Sequence, residues 1–392
     1  MTHSVIVAAK RTPIGSFQGA FANTPAPQLG AVAIKAVVKV AGIDPNEIQE
    51  VIMGNVLTAG IGQAPARQAS IYAGLPDAVA ALTIGKVCGS GLKAIMLADQ
   101  AIRAGDTDVV IAGGMENMSL APYALEKARS GYRMGNGEIV DLMVKDGLFD
   151  PYSKQHMGVI GEKCASECKI SRADQDKFAA ESYTRALAAI SSGRFSDEIA
   201  PVEIAGKKGV TLVASDEEPA KGDVAKLSEL RTAFDKNGTI TAGNASSIND
   251  GAAAVLVLSE EKAKKLNLKP LVRIVAQAQS SQSPDWFTTA PAVAMEKALR
   301  KAGLKASDID LWEVNEAFAV VALVNNQKLE IPADRVNVNG GAVALGHPIG
   351  ASGARIMVTL IHELLKRPAA KRGMASLCIG GGEAVAVIIE KV

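Results

Sequence analysis

Two short segments, SGLKAIM at residues 90–96 and SGARIM at residues 352–357, are similar in sequence and decide how this chain is organised. An upstream Ala-Gly pair opens a similar stretch in each half: AGIDPNEIQEVIMGNV begins at residue 41 and AGLKASDIDLWEVNEA at residue 302. Downstream, each segment is followed by an apolar run that ends in glycines, DVVIAGG in the first half and ASLCIGG in the second. Because the three matches keep the same order, we infer an internal duplication.

The repeated unit alternates helices and strands. Each half predicts a helix that ends near Ala-Gly, then a strand, a glycine-flanked helix and another apolar strand. This alternation is typical of a layered α/β fold, so we expect the two halves to have similar folds.

The halves differ after the last of these strands. In the second half LCIGGG leads directly into EAVAVIIEKV, whereas in the first half the matching strand, GAAAVLVLSEE, follows an insertion from about residue 119 to residue 249. The insertion is richer in charged and turn residues. Its one long helical pattern has Ser171 as N-cap, Asp174 three residues later and Gly193 at its end. We expect the insertion to form a surface-exposed cap or lid.

The composition excludes several classes of protein. The chain has 392 residues, of which 48% are hydrophobic and 37 are glycine, as in soluble α/β proteins. A formal net charge of +1 provides no broad field to attract nucleic acid or an anionic membrane. No apolar run approaches the roughly 20 residues that span a bilayer, and Lys10 and Arg11 interrupt the first apolar stretch, so we expect a cytoplasmic protein. Four scattered cysteines favour free thiols over a disulfide framework.

Cys88 is the first candidate for chemistry. It lies between the strand-like AALTIGKV and the helix-like SGLKAIMLADQAIRAG. At the N-terminus of a helix, free N–H groups and the helix dipole lower the pKa of a thiol and can bind an oxyanion. We expect the small residues Gly89, Ser90 and Gly91 to leave room for a ligand. A buried structural cysteine in a tight turn explains the same local pattern, and these residues alone leave both interpretations open.

His347 directly precedes the duplicate of the helix that follows Cys88. The duplication brings the two helix starts together, which makes this histidine face Cys88. An imidazole with a pKa near 6.5 supplies the general base that a thiol nucleophile needs. A lone histidine is more often structural, but the glycines and proline in ALGHPIGASG form an irregular loop around this one and favour a functional role.

Cys378 and Asn315 are two further candidates. Cys378 ends an apolar strand that leads into Gly380–Gly382. A packed core thiol explains this cysteine in isolation, whereas the glycines would let backbone N–H groups approach a developing oxyanion. Asn315 follows the strand-like LWEV, where it would either hold a water or an oxyanion or cap the next helix.

Other chemistry has little support in the sequence. His156, Cys164 and Cys168 make only a weak zinc pattern, because there is one Cys-x3-Cys spacing, one distant histidine and no second pair. Neither a phosphate-binding loop nor a dinucleotide fingerprint is present. We therefore expect no metal site.

Six separated motifs resemble those of the thiolase family. They are VCGSGLKA around Cys88, GGMENMS from Gly113, GNAS from Gly243, NEAFA from Asn315, NGGAVALGHPIGASGAR from Asn339 and CIGGG from Cys378. The resemblance runs through essentially the whole chain. It implies a duplicated five-layer αβαβα fold with a loop domain inserted in the first half. The implied domains are an N-terminal half at 1–118 plus 249–268, an inserted CoA-binding loop domain at 119–248, and a C-terminal half at 269–392.

The resemblance also implies catalytic roles. Cys88 would be the nucleophile that takes an acyl group from acyl-CoA as a thioester. His347 would activate that thiol and help hold the thioester oxygen of the second substrate, while Cys378 would move the α-proton of the second acyl-CoA. One oxyanion hole would consist of His347 and a water that Asn315 orients, and the other of the N–H groups of Cys88 and Gly380.

Contacts with the acyl-CoA are implied for eight residues, namely Leu148, His156, Met157, Ala242, Ser246, Phe287, Ala317 and Phe318. The stretch KQHMG, with its histidine and methionine, resembles members that act on acetoacetyl-CoA. Three residues depart from the family pattern: Gly85 stands where asparagine is frequent, Ala220 where an arginine near the CoA phosphates is common, and Phe287 where methionine is common. Lys221 is expected to compensate for Ala220, and Phe287 to reshape the acyl or pantetheine pocket.

The implied activity is that of an acetyl-CoA C-acetyltransferase, which joins two acetyl-CoA into acetoacetyl-CoA and CoA. No cofactor is expected, because CoA and acyl-CoA are substrates; the partners expected are these small molecules and further copies of the chain in a homotetramer, not nucleic acid or membranes. One alternative is a degradative 3-ketoacyl-CoA thiolase of broader chain length. Another, from a different class, is a non-catalytic protein of the same fold that binds acyl-CoA or lipid. A condensing ketoacyl synthase fits less well, because such enzymes lack the second catalytic cysteine.

Overall fold

The computed structural model describes residues 3–207 and 209–392. Its strands and α-helices up to the end of the first apolar return strand are β1 (Ser4–Arg11), β2 (Gly15–Ser16), α1 (Ala26–Ala41), β3 (Glu50–Gly54), α2 (Pro65–Tyr72), β4 (Ala80–Ile84), α3 (Ser90–Ala104), β5 (Val109–Asn117), β6 (Tyr123–Ala124), β7 (Val140–Asp141), β8 (Phe149–Asp150), β9 (Gln155–His156), α4 (Met157–Glu167), α5 (Arg172–Ser191), β10 (Val202–Gly206), β11 (Gly209–Val213) and β12 (Asn249–Ser259). The remaining elements are α6 (Glu260–Lys265), β13 (Val272–Ser281), α7 (Ala290–Ala302), β14 (Leu311–Val314), α8 (Ala319–Lys328), α9 (Ala342–Leu345), α10 (Ile349–Lys366), β15 (Arg372–Ile379) and β16 (Glu383–Lys391). Short 3-10 or π-helical turns lie at Pro45–Glu47, Met143–Leu148, Pro219–Lys221, Val224–Glu229, Pro284–Thr289, Ala306–Asp308 and Ala333–Arg335.

The main sheet has the strand order β4-β3-β5-β12-β1-β13-β16-β15-β14, and β2 adds to β12 as its tenth strand. Within each half the pairing is the same: β5 lies parallel to β3 and antiparallel to β12, and β15 lies parallel to β14 and antiparallel to β16. The halves meet where β1 pairs with β13 at Val5–Arg273 and Ile6–Val272. In the first half, β3 also pairs in parallel with β4. In the second half, the corresponding pairing of β14 is an isolated parallel bridge between Trp312 and Val336. The structure therefore has the duplicated topology that the sequence repeat predicts.

Helices and sheet alternate in five layers. Along β12, Ala254 and Leu256 pack into the core beside α1 and α2, whereas Val255 and Val257 pack into the core that contains α3 and α10. Successive strand side chains point to opposite faces, and here both faces are covered, so the strand is apolar at every core position. The second half packs α7 against β13 and β16 in the same way. The duplicated five-layer αβαβα arrangement is thus confirmed.

The predicted helix ends match the structure. Both α1 and α7 end at alanine and are followed by Gly42 and Gly303 in the left-handed region, with φ of 64° and 67°. In the insertion, α5 begins after Ser171, whose side chain and that of Asp174 form the reciprocal capping box.

The central helices α3 and α10 cross very closely. A Cβ added to Gly91 would lie 2.8 Å from the backbone nitrogen of Ala354, and one added to Gly353 would lie 2.4 Å from that of Leu92. Glycine at both positions lets the two helix starts touch, so the residues just before them, Cys88 and His347, are brought to one region at the centre of the molecule.

The segment between β5 and β12 is anchored to the core through α5. One face of α5, with Ala179 and Ala186, packs in a shared apolar cluster with Val343 and Leu345 of α9. The insertion therefore packs on the core through α5, while its residues 125–139 are exposed, as expected of a surface cap. Its role as a lid and the three domain boundaries stay predictions. Among residues 3–207 and 209–392, we find no helix with the length and apolarity to cross a membrane.

Candidate active site

Cys88 lies in a tight turn between β4 and α3. Val87, directly before it, has φ of 43°, which is an uncommon conformation for a β-branched residue. Four hydrogen bonds hold this turn. The Ser90 hydroxyl accepts from the Lys86 N–H at 2.8 Å and donates to the Val87 carbonyl at 2.7 Å, the Ser90 N–H donates to the same carbonyl at 3.1 Å, and the Gly89 N–H donates to the Lys86 carbonyl at 3.0 Å. Backbone strain of about 1–3 kcal/mol persists only where surrounding bonds fix it, so the turn presents Cys88 in one defined orientation.

The small residues after Cys88 do not leave room for a ligand, and that expectation is wrong. A Cβ on Gly89 would come within 2.3 Å of the Cδ1 atom of Ile379, and Gly91 is in contact with α10. These glycines instead allow close packing between the two halves of the chain. The space for a ligand lies beside Cys88 but is not lined by Gly89, Ser90 or Gly91.

That space is a cavity of about 430 Å³. It is lined by Cys88, His347, Cys378 and Gly380, and by all eight residues for which an acyl-CoA contact was expected: Leu148, His156, Met157, Ala242, Ser246, Phe287, Ala317 and Phe318. Its walls are mainly apolar, and its polar lining includes Ser16, Glu218 and Lys221. The structure therefore brings together residues from both halves and from the insertion, although their roles stay predictions.

His347 has a defined tautomer. Its Nδ1 atom lies 2.6 Å from the Ser352 hydroxyl, and that hydroxyl donates its single proton to the Pro348 carbonyl at 2.9 Å. With its proton on that carbonyl, the hydroxyl accepts from Nδ1–H, and the lone pair of the imidazole is on Nε2. Nε2 is buried and has no partner among the described residues, so it is available as a base or as a donor after protonation. Asn249 fixes the backbone of this residue by accepting from its N–H at 2.9 Å.

Burial sets the protonation states of this pair. Burial raises the pKa of the Cys88 thiol to about 11, although the N–H groups of Gly380 and Cys88 act in the opposite direction. Burial, and secondarily Arg355, lowers the pKa of His347 to about 3. The expectations of a lowered thiol pKa and of an imidazole pKa near 6.5 are both wrong. The resting pair is a neutral thiol and a neutral imidazole, and the proton must move during the reaction.

Cys378 lies at the end of β15, 1% exposed. Burial, and then the neighbouring Cys88, raises its pKa well above the ordinary value, so it too is protonated at neutral pH. After it the chain turns through Gly381 and Gly382, with φ of 88° and 85°. The N–H of Gly380, which opens this turn, and the N–H of Cys88 itself both act to lower the pKa of the Cys88 thiol, against the effect of burial. Two backbone donors thus lie close to the sulfur that would carry the acyl group, which is the arrangement an oxyanion hole requires.

Asn315 is buried beside the cavity but not among the residues that line it. Its N–H donates to the Ser376 carbonyl at 3.0 Å, and neither its side-chain oxygen nor its side-chain nitrogen has a partner in the part of the chain that is described. The capping interpretation is wrong, because α8 begins at Ala319 and its N-cap is Phe318. Buried amides without partners are rare, which supports a water or ligand here.

Sequence reasoning missed several residues of this site. Ser352 fixes the tautomer of His347 but lies inside a helix pattern, where serine carries no special signal. Phe234 stacks on His156 with ring centroids 4.8 Å apart and meets the edge of Phe318 at 6.1 Å. Phe17, Met118 and Ile248 also line the cavity. The scarcity of aromatics, 4% of the chain, is the one signal that singles out Phe234.

The three departures from the family pattern are accommodated. A Cβ on Gly85 would meet only the Asn55 carbonyl, at 3.9 Å, so the residue here does not alter the Cys88 turn. Ala220 is exposed, and the ammonium of the neighbouring Lys221 donates to the Ser16 hydroxyl, with both residues in the cavity lining. Phe287 is buried with its ring edge against Phe318, centroids 6.4 Å apart, and narrows the cavity.

Comparison with known proteins decides the family. The family profile described as "Thiolase, N-terminal domain" matches residues 4–261, and that described as "Thiolase, C-terminal domain" matches residues 268–391. The chain belongs to the thiolase family. This thiolase is 52% identical over 393 residues to a protein named acetyl-CoA acetyltransferase from Pseudomonas aeruginosa and, equally, to one of the same name from Cupriavidus necator, with all of each chain covered. It is also 50% identical over 393 residues to a protein of Staphylococcus aureus named probable acetyl-CoA acyltransferase, again over both full lengths.

Solved structures agree with this assignment. The crystal structure of the Bacillus anthracis acetyl-CoA acetyltransferase superimposes on this thiolase with a TM-score of 0.97 and 44% sequence identity, covering 100% of this chain and 99% of that one. A match of this extent shows the same fold throughout, including the segment between β5 and β12.

Proposed function

We propose that this thiolase is an acetyl-CoA C-acetyltransferase, which interconverts two acetyl-CoA with acetoacetyl-CoA and CoA. One observation carries the proposal: two thiols, Cys88 and Cys378, and an imidazole whose buried Nε2 has no partner among the described residues line one mainly apolar cavity. The names of the bacterial relatives support the same activity.

The first half of thiolysis uses both thiols. Nε2 of His347 takes the proton of Cys88, whose sulfur attacks the 3-keto carbon of acetoacetyl-CoA. The C2–C3 bond breaks, the acetyl group stays on Cys88, and the departing enolate takes the proton of Cys378 and leaves as acetyl-CoA. A raised pKa suits this role, because Cys378 must carry a proton when the enolate departs.

The second half restores the resting state. His347 first returns its proton to the Cys378 thiolate. Its Nε2 then takes the thiol proton of CoA, whose sulfur attacks the acetyl carbon; the Cys88–acetyl bond breaks, and Cys88 takes that proton from His347. The N–H groups of Cys88 and Gly380 stabilise the oxyanion on the acetyl group, and a water held by Asn315 together with His347 stabilises the enolate oxygen. All atoms balance, and condensation is the reverse sequence.

A short acyl group is proposed because aromatic and thioether side chains close the cavity around Cys378. Met157 reaches 3.8 Å from the position of a Cβ on Gly380, and Phe287 and Phe318 pack edge to face. The same cavity must also admit the pantetheine arm, which leaves little volume for a long chain.

Chain-length preference is tested by CoA-dependent cleavage of 3-ketoacyl-CoA substrates from C4 to C16. We expect kcat/KM to be highest for acetoacetyl-CoA and to fall about tenfold or more for longer chains, because extra methylenes do not fit a closed pocket. Assays without CoA control for hydrolysis. Equal or faster cleavage of C8–C16 substrates would contradict the proposal and favour the degradative alternative, and absence of any cleavage would favour a non-catalytic protein.

We further propose a cytoplasmic homotetramer that uses acyl-CoA as substrate without a bound metal or cofactor. Support for assembly comes from exposed apolar residues in one segment that includes the β6–β7 pairing, namely Tyr123, Leu125, Met134 and Ile139, of which Met134 is 86% exposed. Light scattering after gel filtration is expected to give four times the 40.6 kDa chain mass. Met134→Glu is expected to give a smaller assembly because it places charge in an apolar contact. A monomeric wild type would contradict this.

A further inference from the structure

Glu116 is a fully buried carboxylate that the mechanism above does not use. It lies near the end of β5, next to the glycines of GGMENMS, and it is not among the residues that line the cavity. No ion pair of the described residues includes it. A buried carboxylate without a cation must be held by hydrogen bonds, and each such group has a structural or functional reason.

Four N–H groups provide those bonds, two to each oxygen. Oε1 accepts from the Asn55 side chain at 2.7 Å and from the Leu57 N–H at 3.2 Å, and Oε2 accepts from the Val56 N–H at 3.0 Å and from the Gly350 N–H at 2.9 Å. Only an ionised carboxylate offers acceptors alone on both atoms. A glutamine would direct an NH₂ group at two of these donors.

The donors belong to two separate parts of the site. Gly350 is in the first turn of α10, three residues after His347, and a Cβ there would lie 2.5 Å from Oε2 of Glu116. Val56 and Leu57 follow β3, and they pack with Ile349 and the Cys88 side chain in one apolar cluster. One carboxylate therefore connects the helix start that carries His347, from the second half, to the loop that supports Cys88, from the first half.

We propose that Glu116 is a positioning residue that sets His347 relative to Cys88 by joining the α10 N-terminus to the loop after β3. Its charge lies at the positive end of the α10 dipole, which favours an anion at this site. The inference deepens the proposed function and rests on the roles assigned there to Cys88 and His347.

The charge of Glu116 also affects the pKa of the Cys88 thiol. Its carboxylate contributes to the raised pKa of the Cys88 thiol, and burial raises the pKa of Glu116 itself to about 7. The elements around it carry further titratable or charged side chains, namely Glu50 on β3, Lys93, Asp99 and Arg103 on α3, Asp250 on β12, and Arg355, His362, Glu363 and Lys366 on α10, with Cys88 and His347 directly before α3 and α10. Removing the charge is therefore expected to lower the pKa of Cys88 while the alignment of its base is lost.

The variant Glu116→Gln tests separately the alignment of His347, through turnover, and the effect of the charge on the pKa of Cys88, through alkylation. We expect kcat for acetoacetyl-CoA thiolysis to fall on the order of 10²-fold, as misplaced catalytic groups do, with KM changed by no more than about twofold because the cavity walls remain. In the same variant, the pH profile of Cys88 alkylation by iodoacetamide, followed by mass spectrometry, is expected to move to lower pH. A slower turnover with a more acidic nucleophile is a combination that loss of stability alone does not produce.

Two further variants keep the proposal open to refutation. Glu363→Gln removes another buried carboxylate, from the far part of α10, where it accepts from Asn339 and Arg367, and it is expected to leave kcat and the alkylation profile unchanged. Asn55→Ala removes one donor but keeps the charge, so a smaller fall in kcat with an unchanged alkylation profile is expected even if the glutamine variant does not fold. Wild-type kcat in Asn55→Ala, or wild-type kcat and alkylation profile in Glu116→Gln, would overturn the proposal. If the wild type itself fails to cleave acetoacetyl-CoA, the proposed function falls, while the alkylation profiles still test Glu116.

Discussion

Replacing Cys88 by serine is expected to slow acetoacetyl-CoA thiolysis by about 10³- to 10⁴-fold, the scale of losing an activated nucleophile. His347 has a pKa lowered to about 3, so in its neutral form it is a weak base. His347 can take the proton of a thiol with a pKa of about 11 only because the sulfur is a strong nucleophile and two N–H groups stabilise the developing charge. A serine hydroxyl is far less acidic and less nucleophilic. Stopped-flow or steady-state loss of acetoacetyl-CoA measures the effect.

The matched control is Cys168→Ser, a half-buried thiol at the end of α4 outside the cavity lining, which is expected to keep wild-type turnover. The pH dependence gives a second check. Because burial raises the pKa of Cys88, the thiolate is the minor form at neutral pH and becomes more abundant as pH rises towards about 11. Alkylation of Cys88 in the free enzyme should therefore keep accelerating above pH 9. A plateau near pH 7, or full thiolysis by the serine variant, would contradict the assigned resting state or the covalent mechanism, respectively.

Much of the fold could be predicted from the repeat alone, and the reason is physical. Strands such as β12 that are buried on both faces require apolar side chains at nearly every position, and helix ends such as Ala41-Gly42 require a left-handed residue. Both leave local patterns that recur in the second half. The packing of α5 against α9 could not be predicted in the same way, because these two helices are far apart in the chain.

The site shows where local patterns stop being informative. Cys88 and His347 could be paired from the positions of the two duplicated helices. The direction of their pKa shifts could not, because burial from all sides outweighs the helix N-terminus that the local sequence indicates. Gly89 and Gly91 were predicted to open space, whereas they admit Ile379 and the backbone of α10. Glycine permits close approach, and the sequence does not specify whether a ligand or another helix approaches.

Replacing Cys378 by alanine is expected to divide the reaction into its two halves. Acylation of Cys88 by acetyl-CoA needs only Nε2 of His347, which takes the thiol proton and returns it to the leaving CoA. Carbon–carbon cleavage needs a second proton donor for the enolate, and the alanine variant lacks it. Thiolysis and condensation should fall by about 10²- to 10⁴-fold, as when a general acid or base is removed, while intact-protein mass spectrometry should still detect acetylated enzyme at wild-type rates.

The two outcomes discriminate between roles for Cys378. Cys378 is 1% exposed in the same apolar cluster as Phe318 and Val320, so removing its sulfur also leaves a small cavity. Loss of packing alone would lower the thermal stability and slow both half-reactions alike. Cys164→Ala supplies the matched control, because this thiol is equally buried in that cluster but outside the cavity lining. Unchanged acylation with lost carbon–carbon cleavage in Cys378→Ala, and neither effect in Cys164→Ala, would assign the α-proton to Cys378. Equal loss of acylation and cleavage would instead make Cys378 a packing residue, and the enolate would need another proton donor.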